Sequence, residues 1–188
     1  MFSVRIHGRG GQGVVTAAEL LAIAAFDEGH HAHAFPTFGS ERMGAPVTAF
    51  CRIADRPIRA REPIAEPDGL IVQDPTLLHQ VDVFGGLKPD GYVLINSAKS
   101  LDDLGLNDLR ERMRPGRLVV LPATHIAREH LGRPLPNAVL LGGFAALTGV
   151  VSMHALEAAI EEKFAPALAA RNVAAATAAH AALEPARA

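Results

Sequence analysis

Short apolar or alternating segments are separated along the chain by longer segments in which apolar residues recur at helical spacing. Apolar runs and strict alternation of apolar with polar residues both predict β-strands. These patterns predict strands at residues 2–6, 31–35, 46–53, 69–72, 92–95 and 118–121. Helical spacing and capping residues predict helices at residues 14–27, 76–84, 102–112, 125–130, 138–151, 153–164 and 166–183. The proline-rich segment 54–69 is predicted to connect two strands and to include a hairpin.

The order of these elements predicts the fold class. Strands that alternate with helices form an open, mostly parallel sheet with right-handed crossovers and helices on both faces. The chain has 188 residues, which suffice for one α/β domain with a sizeable core. No change of composition marks a domain boundary. We therefore predict a single Rossmann-like α/β domain over residues 1–188 that ends in a helical extension.

The sequence GRGGQG, at residues 8–13, lies between the first predicted strand and the first predicted helix. Three of its glycines fit the pattern G-x-G-x-x-G, which brings a backbone close to a phosphate at the N-terminus of a helix. The glutamine adds an amide that can form further hydrogen bonds. We therefore predict an anion-binding turn with the candidate site residues Gly8, Gly10, Gly11, Gln12 and Gly13. The alternative is a tight turn that packs the helix against the strand and binds no ligand.

A dinucleotide site of this type also needs an acidic residue at the end of the second strand, where it binds the ribose. That position reads HAFPTF here, and the nearby Asp27 and Glu28 come before the strand. The sequence also contains no recognisable set of residues for hydride transfer or nucleophilic catalysis. A stand-alone dinucleotide-dependent oxidoreductase is therefore the interpretation that the sequence supports least.

A second informative loop follows the second predicted strand, at the edge where open α/β sheets bind ligands. Ser40 offers a hydroxyl, Arg42 offers a fork of donors for phosphate or carboxylate, and Gly44 loosens the backbone. We predict that these three residues complete the cofactor-binding site. The alternative is a solvated loop in which Arg42 pairs with Glu41 or with a neighbouring subunit.

Charge and cysteine content exclude several classes of function. The net charge is −2, which favours neither nucleic acid nor an anionic membrane surface as a partner. No apolar stretch approaches the roughly 20 residues of a membrane span, and Arg5, His7 and Arg9 interrupt any signal sequence, so we expect a cytoplasmic protein. The single cysteine, Cys51, cannot form an internal disulfide or supply the ligands of a [4Fe–4S] cluster. We expect no metal site, because the histidines at 30, 31 and 33 lack partner ligands.

The ordered set of motifs resembles the gamma subunit of 2-oxoacid:ferredoxin oxidoreductases, in particular the separate gamma subunit of the pyruvate class. The resemblance runs from residue 2 to about residue 165 and rests on GRGGQGVVTAAELLA, FPTFGSERMGAPVTAFCRI, PDGLIVQDPTLL, GYVLINS and LPNAVLLGGFAAL. The chain departs from the family at Met43, where many relatives carry a second arginine beside Arg42.

The resemblance implies a role in a complex that decarboxylates pyruvate or a related 2-oxoacid, passes the acyl group to coenzyme A and sends electrons to ferredoxin or another acceptor. It implies that thiamine diphosphate, Mg²⁺ and the [4Fe–4S] clusters belong to alpha-, beta- and delta-type partner subunits. This chain would contact coenzyme A and support assembly, with no catalytic residue of its own. Two alternatives stay open: a purely structural subunit without ligand contacts, and a stand-alone dinucleotide-binding oxidoreductase.

Overall fold

A single mixed sheet forms the centre of the protein. The computed structural model describes residues 1–37 and 43–183. Its strands lie in the order β2-β3-β1-β4-β5-β6, and β1, β4, β5 and β6 run parallel, whereas β3 runs antiparallel to both β1 and β2. The strands are β1 (Phe2–Arg9), β2 (His31–Pro36), β3 (Pro46–Ala54), β4 (Gly69–Val72), β5 (Tyr92–Asn96) and β6 (Leu118–Leu121). The predicted α/β class is confirmed. Strand β3 turns back because the short connection from β2 cannot make the crossover that a parallel neighbour requires.

Helices cover both faces of the sheet, as predicted. They are α1 (Val14–Asp27), α2 (Asn107–Arg112), α3 (Ala123–Leu131), α4 (Asn137–Thr148), α5 (Met153–Lys163) and α6 (Pro166–Leu183). Helices α1 and α3 to α6 share one large core with Val4, Ile6 and Ile71 of the sheet. Helix α2 and the short segments around it pack on the opposite face, against Leu70 and Val72. No helix among the described residues is long and apolar enough to cross a membrane.

The parallel strands bring several loops to one edge of the sheet. Strands β1, β4, β5 and β6 all end there, and the antiparallel β3 begins there. The segments 10–13, 43–45, 73–76, 97–99 and 122–124 therefore lie side by side along this edge. Ligands of open α/β sheets bind at the carboxyl ends of parallel strands, so this edge is where a site is expected.

The predicted helix at residues 76–84 is wrong. The chain forms a short 3-10 helix, Pro75–His79, and then a series of turns. Arg5 on β1 holds these turns, because its buried side chain donates to the carbonyl oxygens of Val83 at 3.1 Å and Gly85 at 2.5 Å.

The predicted hairpin within residues 54–69 is also wrong, since residues 55–68 contain no strand. Hydrogen bonds from buried arginine side chains hold this segment in place of the backbone hydrogen bonds of a hairpin. Arg52 donates to the carbonyl oxygens of Ala60 at 3.4 Å and Glu62 at 2.7 Å, and Arg5 donates to that of Ile64 at 3.3 Å. These bonds satisfy carbonyls that a hairpin would otherwise pair.

Three element boundaries differ from the prediction by three residues or more. Strand β1 continues beyond Ile6 to Arg9, because its last three residues pair with β3. Helix α2 begins at Asn107 and not at residue 102, since Gly105 has a positive φ of 70° that ends the preceding turn. Helix α4 ends at Thr148, where Gly149 takes the left-handed conformation that stops helices. The predicted N-cap of α5 is confirmed, because the Ser152 hydroxyl accepts a bond from the Ala155 N–H at 3.1 Å.

Candidate functional site

The glycine loop is held by the side chain of Gln12. The side-chain Oε1 of Gln12 accepts a bond from the backbone N–H of Arg9 at 2.8 Å, and the backbone N–H of Gln12 donates to the Arg9 carbonyl at 3.0 Å. Its Nε2 donates to the carboxylate of Asp74 at 2.9 Å, just beyond β4. The amide of Gln12 therefore fixes the shape of the turn and attaches it to the neighbouring strand, and both of its polar atoms are engaged.

Arg9 is the centre of a second set of contacts behind the loop. Its guanidinium donates to Asp74 at 3.2 Å, to the hydroxyl of Thr76 at 2.6 Å, to the side chain of Gln80 at 2.8 Å and to the carbonyl of Gly44 at 3.0 Å. Partial burial alone would raise the pKa of Asp74, but hydrogen bonds from Thr76 and Gln12, with the charge of Arg9, hold that pKa below its usual value. Asp74 is therefore an anion at neutral pH, and it balances the charge of Arg9.

The second predicted loop meets the first through its C-terminal end. The N–H of Gly44 donates to the Gly10 carbonyl at 3.1 Å, and the N–H of Gly10 donates to the Ala45 carbonyl at 2.9 Å. The exposed thioether of Met43 covers Gly11, and its Sδ would lie 3.0 Å from a Cβ at that position. The two loops are thus joined by backbone pairing, with an apolar side chain at the rim.

A cavity of about 400 Å³ opens between this loop and the start of α4. It is lined by Gly10, Gly11, Gln12, Met43, Gln73, Asp74, Pro75, Thr76, Asn96, Thr124 and residues 134–136. Gln73 is only 1% exposed, yet neither of its amide atoms has a hydrogen-bond partner among the described residues. Buried amides are nearly always paired in folded proteins, so the unpaired amide of a residue that lines a cavity is a candidate partner for a bound water or ligand.

The starts of two helices lie in contact beside the same cavity, and Pro136 at the start of α4 lines it. Gly13 precedes α1 and Pro136 precedes α4, and no described side chain caps either helix. The Nδ2 of Asn137, the first residue of α4, lies 3.5 Å from the Gly13 carbonyl, so the two helix starts are in contact. Because the first N–H groups of a helix lack intrahelical acceptors and carry a partial positive charge, this arrangement suits the oxygens of an anion.

A second, larger cavity of about 790 Å³ continues along the edge towards β5 and β6. Its basic lining residues are His79, Lys99, His125 and Arg128, and it shares Pro75, Thr76, Asn96 and Thr124 with the first cavity. Asn96 joins the strand ends beneath both, because its Nδ2 donates to the Gln73 carbonyl at 2.8 Å and its Oδ1 accepts from the Thr124 N–H at 3.0 Å. The cleft therefore has one compartment formed mainly by neutral groups and one with cationic side chains.

The structure brings most of the predicted site residues together, in different roles. Gly10, Gly11 and Gln12 line the first cavity, Gly13 caps α1, and Gly44 pairs with Gly10. Gly8 lies behind the loop, where a Cβ would come within 2.5 Å of Val14, so it permits close packing of strand and helix. Ser40 and Arg42 lie outside the described residues.

Several residues of the cleft were not predicted from the sequence. They are Arg9, Gln73, Asp74, Asn96, Lys99, Thr124, Arg128 and Asn137. Gln73 and Asn96 each stand at the carboxyl end of a buried strand, and that position is a signal that could have identified them. Among residues 1–37 and 43–183, no group of three or more metal-ligating side chains is placed to hold a metal ion.

Comparison with known proteins identifies the family. Residues 3–182 match the family described as pyruvate ferredoxin/flavodoxin oxidoreductase. The chain is 51% identical over 176 residues to the pyruvate/ketoisovalerate oxidoreductases common subunit gamma of Thermococcus kodakarensis, with 94% of each chain covered. It is 49% identical over 164 residues to pyruvate synthase subunit PorC of Methanothermobacter marburgensis, with 87% of each chain covered.

A solved structure supports the same assignment. The crystal structure of pyruvate oxidoreductase subunit PORC from Thermotoga maritima has a TM-score of 0.80 at 35% identity and covers 96% of this chain and 95% of that one. The chain therefore belongs to the pyruvate ferredoxin/flavodoxin oxidoreductase family, and its predicted resemblance to gamma-type subunits is confirmed.

Proposed function

We propose that this chain is the gamma subunit of a pyruvate or ketoisovalerate oxidoreductase complex and that its glycine-loop cleft contacts coenzyme A. Its partners would be alpha-, beta- and delta-type subunits, which would carry thiamine diphosphate, Mg²⁺ and the [4Fe–4S] clusters and transfer electrons to ferredoxin or another acceptor. The assignment to a gamma subunit is supported by relatives that align with this chain almost end to end.

The unpaired amide of Gln73 is the observation that supports a ligand in the cleft. Gln73 lines a cavity beside which the starts of α1 and α4, neither with a side-chain cap, are in contact. Coenzyme A carries a diphosphate. Several neutral N–H donors at helix N-termini can bind its oxygens without a charged side chain at each oxygen. The backbone N–H of Gly11 and the starts of α1 and α4 would supply such donors, because the N–H of Gly10 is already bonded to Ala45, and the coenzyme would accept the acyl group through its thiol. The role of this chain is then to bind and orient the coenzyme.

Ser40 and Arg42 belong to the same proposal on the evidence of the sequence. Arg42 would add a charge-assisted hydrogen bond, worth roughly 1.5–3 kcal/mol. Arg42→Ala should therefore raise the KM for coenzyme A on the order of 10- to 150-fold in the assembled complex. It should spare the half-reaction in which the 2-oxoacid is decarboxylated and the clusters are reduced. Equal impairment of both half-reactions would favour an ion pair between subunits.

The replacement Gln73→Met tests the cleft itself, because methionine has nearly the same length and no amide. If Gln73 has a ligand as its partner, this change should raise the KM for coenzyme A several-fold and leave the unfolding free energy of the free chain unchanged or higher. Arg171→Ala is a matched control, since Arg171 is exposed on α6 and lines neither cavity. An unchanged KM for coenzyme A in an intact Gln73→Met complex would favour the purely structural subunit.

A further inference from the structure

We propose that Asp74 is a positioning residue: its carboxylate holds Gln12 and Arg9 and so fixes the glycine loop in the shape that receives the ligand. The inference rests on the proposed function and explains how a loop rich in glycine keeps one conformation. Asp74 lies two residues beyond β4, outside the glycine motif, and its side chain is only 14% exposed. Its role is indirect, because it acts on the ligand through the two side chains that it holds.

The first half of the glycine loop is a tight turn over residues 9–12. The backbone N–H of Gln12 closes the turn by donating to the Arg9 carbonyl at 3.0 Å. Gly11, the third residue of the turn, has a φ of 89°, in the left-handed region that favours glycine. A turn with two central glycines can change its backbone conformation at little steric cost. Contacts outside the backbone of the turn must therefore select the observed conformation.

The orientation of the Gln12 amide provides this selection, and Asp74 determines that orientation. Oε1 of Gln12 accepts a bond from the N–H of Arg9 at 2.8 Å, and Nε2 donates to Oδ2 of Asp74 at 2.9 Å. Because a carboxylate only accepts hydrogen bonds, Asp74 favours the orientation in which Nε2 faces it and Oε1 returns to the turn. Gly8 leaves space for this amide, since a Cβ there would lie 3.1 Å from Oε1 of Gln12.

The same carboxylate oxygen also connects to the second loop, through Arg9. Oδ2 of Asp74 lies 3.2 Å from Nε of Arg9, and the guanidinium of Arg9 donates to the Gly44 carbonyl at 3.0 Å. Gly44 in turn donates its N–H to the Gly10 carbonyl. Asp74 therefore holds both loops at the rim of the first cavity, one through Gln12 and the other through Arg9.

All of these contacts require a carboxylate at position 74. Oδ1 of Asp74 accepts bonds from the N–H of Thr76 at 3.0 Å and from its hydroxyl at 2.6 Å, so both carboxylate oxygens are engaged. Asparagine has nearly the same size but only one acceptor oxygen. Asp74→Asn must keep that oxygen either at Thr76, where it caps the short helix Pro75–His79, or at the loop. We expect it to stay at the cap, which leaves Gln12 and Arg9 without their acceptor.

Steady-state kinetics of the assembled complex test the proposal. Asp74→Asn should raise the KM for coenzyme A on the order of tenfold, as expected for the loss of a hydrogen bond to a charged group. It should leave kcat and the decarboxylation half-reaction close to the wild-type values. Asp102→Asn is the matched control, because it removes the same charge and an ion pair of the same length, 3.2 Å to Arg110, and lines neither cavity. Equal impairment of both half-reactions by Asp74→Asn would assign Asp74 a structural role and overturn the inference.

An exchange of donor and acceptor distinguishes positioning through Gln12 from simple capping of the short helix. In the double variant Gln12→Glu/Asp74→Asn, the amide at position 74 can donate to the carboxylate at position 12 while its oxygen stays at Thr76. The net charge is that of the wild type. The double variant should therefore restore most of the affinity for coenzyme A, although each replacement alone raises the KM. A double variant as impaired as Asp74→Asn would contradict the role of Gln12 and overturn the inference.

Amide hydrogen exchange in the free full-length chain, measured by NMR, reports on the loop without the coenzyme. The N–H of Gln12 should exchange on the order of tenfold faster in Asp74→Asn and recover its protection in the double variant. If exchange changes in this way and the KM for coenzyme A does not, the positioning role is retained and the proposed function fails. If the N–H of Gln12 exchanges at the wild-type rate in Asp74→Asn, Asp74 does not position the loop and the inference is overturned.

Discussion

Replacing Gly13 with alanine tests how strongly the glycine loop depends on contact with α4. Gly13 has a φ of 70°, in the left-handed region, and caps α1. A Cβ built there would lie 2.5 Å from Nδ2 and 3.1 Å from Cγ of Asn137, which is itself buried. The substitution therefore imposes both backbone strain and a steric clash, and these two costs can be separated.

Gly44 provides the comparison, because it has a φ of 80° and no atom of residues 1–37 and 43–183 would lie within 4 Å of its Cβ. Left-handed backbone costs an L-residue about 1–2 kcal/mol, and overpacking a buried contact costs about 1–3 kcal/mol more. We expect Gly44→Ala to lower the free energy of unfolding by about 1–2 kcal/mol. Gly13→Ala should lower it by about 2–5 kcal/mol, with the difference due to Asn137.

Urea denaturation of the full-length chain, followed by far-ultraviolet circular dichroism, measures both changes. In an Asn137→Ala background the clashing atoms are gone, so Gly13→Ala should then cost about as much as Gly44→Ala. Equal destabilisation by Gly13→Ala and Gly44→Ala in the wild-type background would refute the reasoning, since it would leave no cost for the contact with Asn137.

Three further predictions concern stability and reactivity. Burial, and then the charge of Arg5, lower the pKa of His7 to about 4, so the folded chain stays neutral there while the unfolded chain takes up a proton near pH 6.5. The contribution of neutral His7 to the free energy of unfolding is therefore complete above about pH 6.5 and falls by up to about 3 kcal/mol towards pH 4. Urea titrations at several pH values should show a smaller pH dependence for His7→Gln. An unaltered dependence of the unfolding free energy on pH would contradict the assignment. Gly142→Ala places a methyl group against the backbone of Ala176 and should destabilise the chain by about 1–3 kcal/mol, although alanine has the better helix propensity. Gly143→Ala places its methyl group only against the ends of side chains and should destabilise the chain less. A lower melting temperature for Gly143→Ala than for Gly142→Ala would contradict this prediction. Burial raises the pKa of Cys51 to about 12, so the native chain should resist iodoacetamide and react only when unfolded; rapid native labelling would contradict this.

The hydrophobic pattern predicted the sheet well because each of its central strands is a short, distinct apolar run. Strands β4, β5 and β6 are found within one residue of the prediction, and their carboxyl ends define the edge that carries the cleft. The glycine loop was also predictable, since its required spacing lies within six consecutive residues. Local signals of this kind need no knowledge of distant contacts.

Contacts between distant residues explain what the sequence did not predict. Arg9 and Asp74 are 65 positions apart, and Arg5 reaches carbonyls about 80 positions away. In a strand pattern, Arg5 appears as a polar residue that should face solvent, yet it is buried and replaces regular secondary structure with side-chain bonds. Such arginines bond the segment that was predicted to form a hairpin at 54–69, and Arg5 also holds the turns at residues 83–85. Local propensity is overridden wherever a buried cation takes carbonyl groups that secondary structure would use.

The same reasoning explains why the glycine motif alone could not predict the chemistry of the cleft. GRGGQG contains an arginine, which suggests a positive charge at the anion site. The folded chain directs that arginine away from the first cavity and pairs it with Asp74, so the loop presents mainly neutral donors. Lys99 and Arg128, beside other strand ends, have no ion-pair partner among the described residues and line the second cavity. The distribution of charge in this cleft is therefore a property of strand order: the segment after β4 supplies the anion that balances Arg9, while the segment after β5 and the helix after β6 supply the cations that line the second cavity.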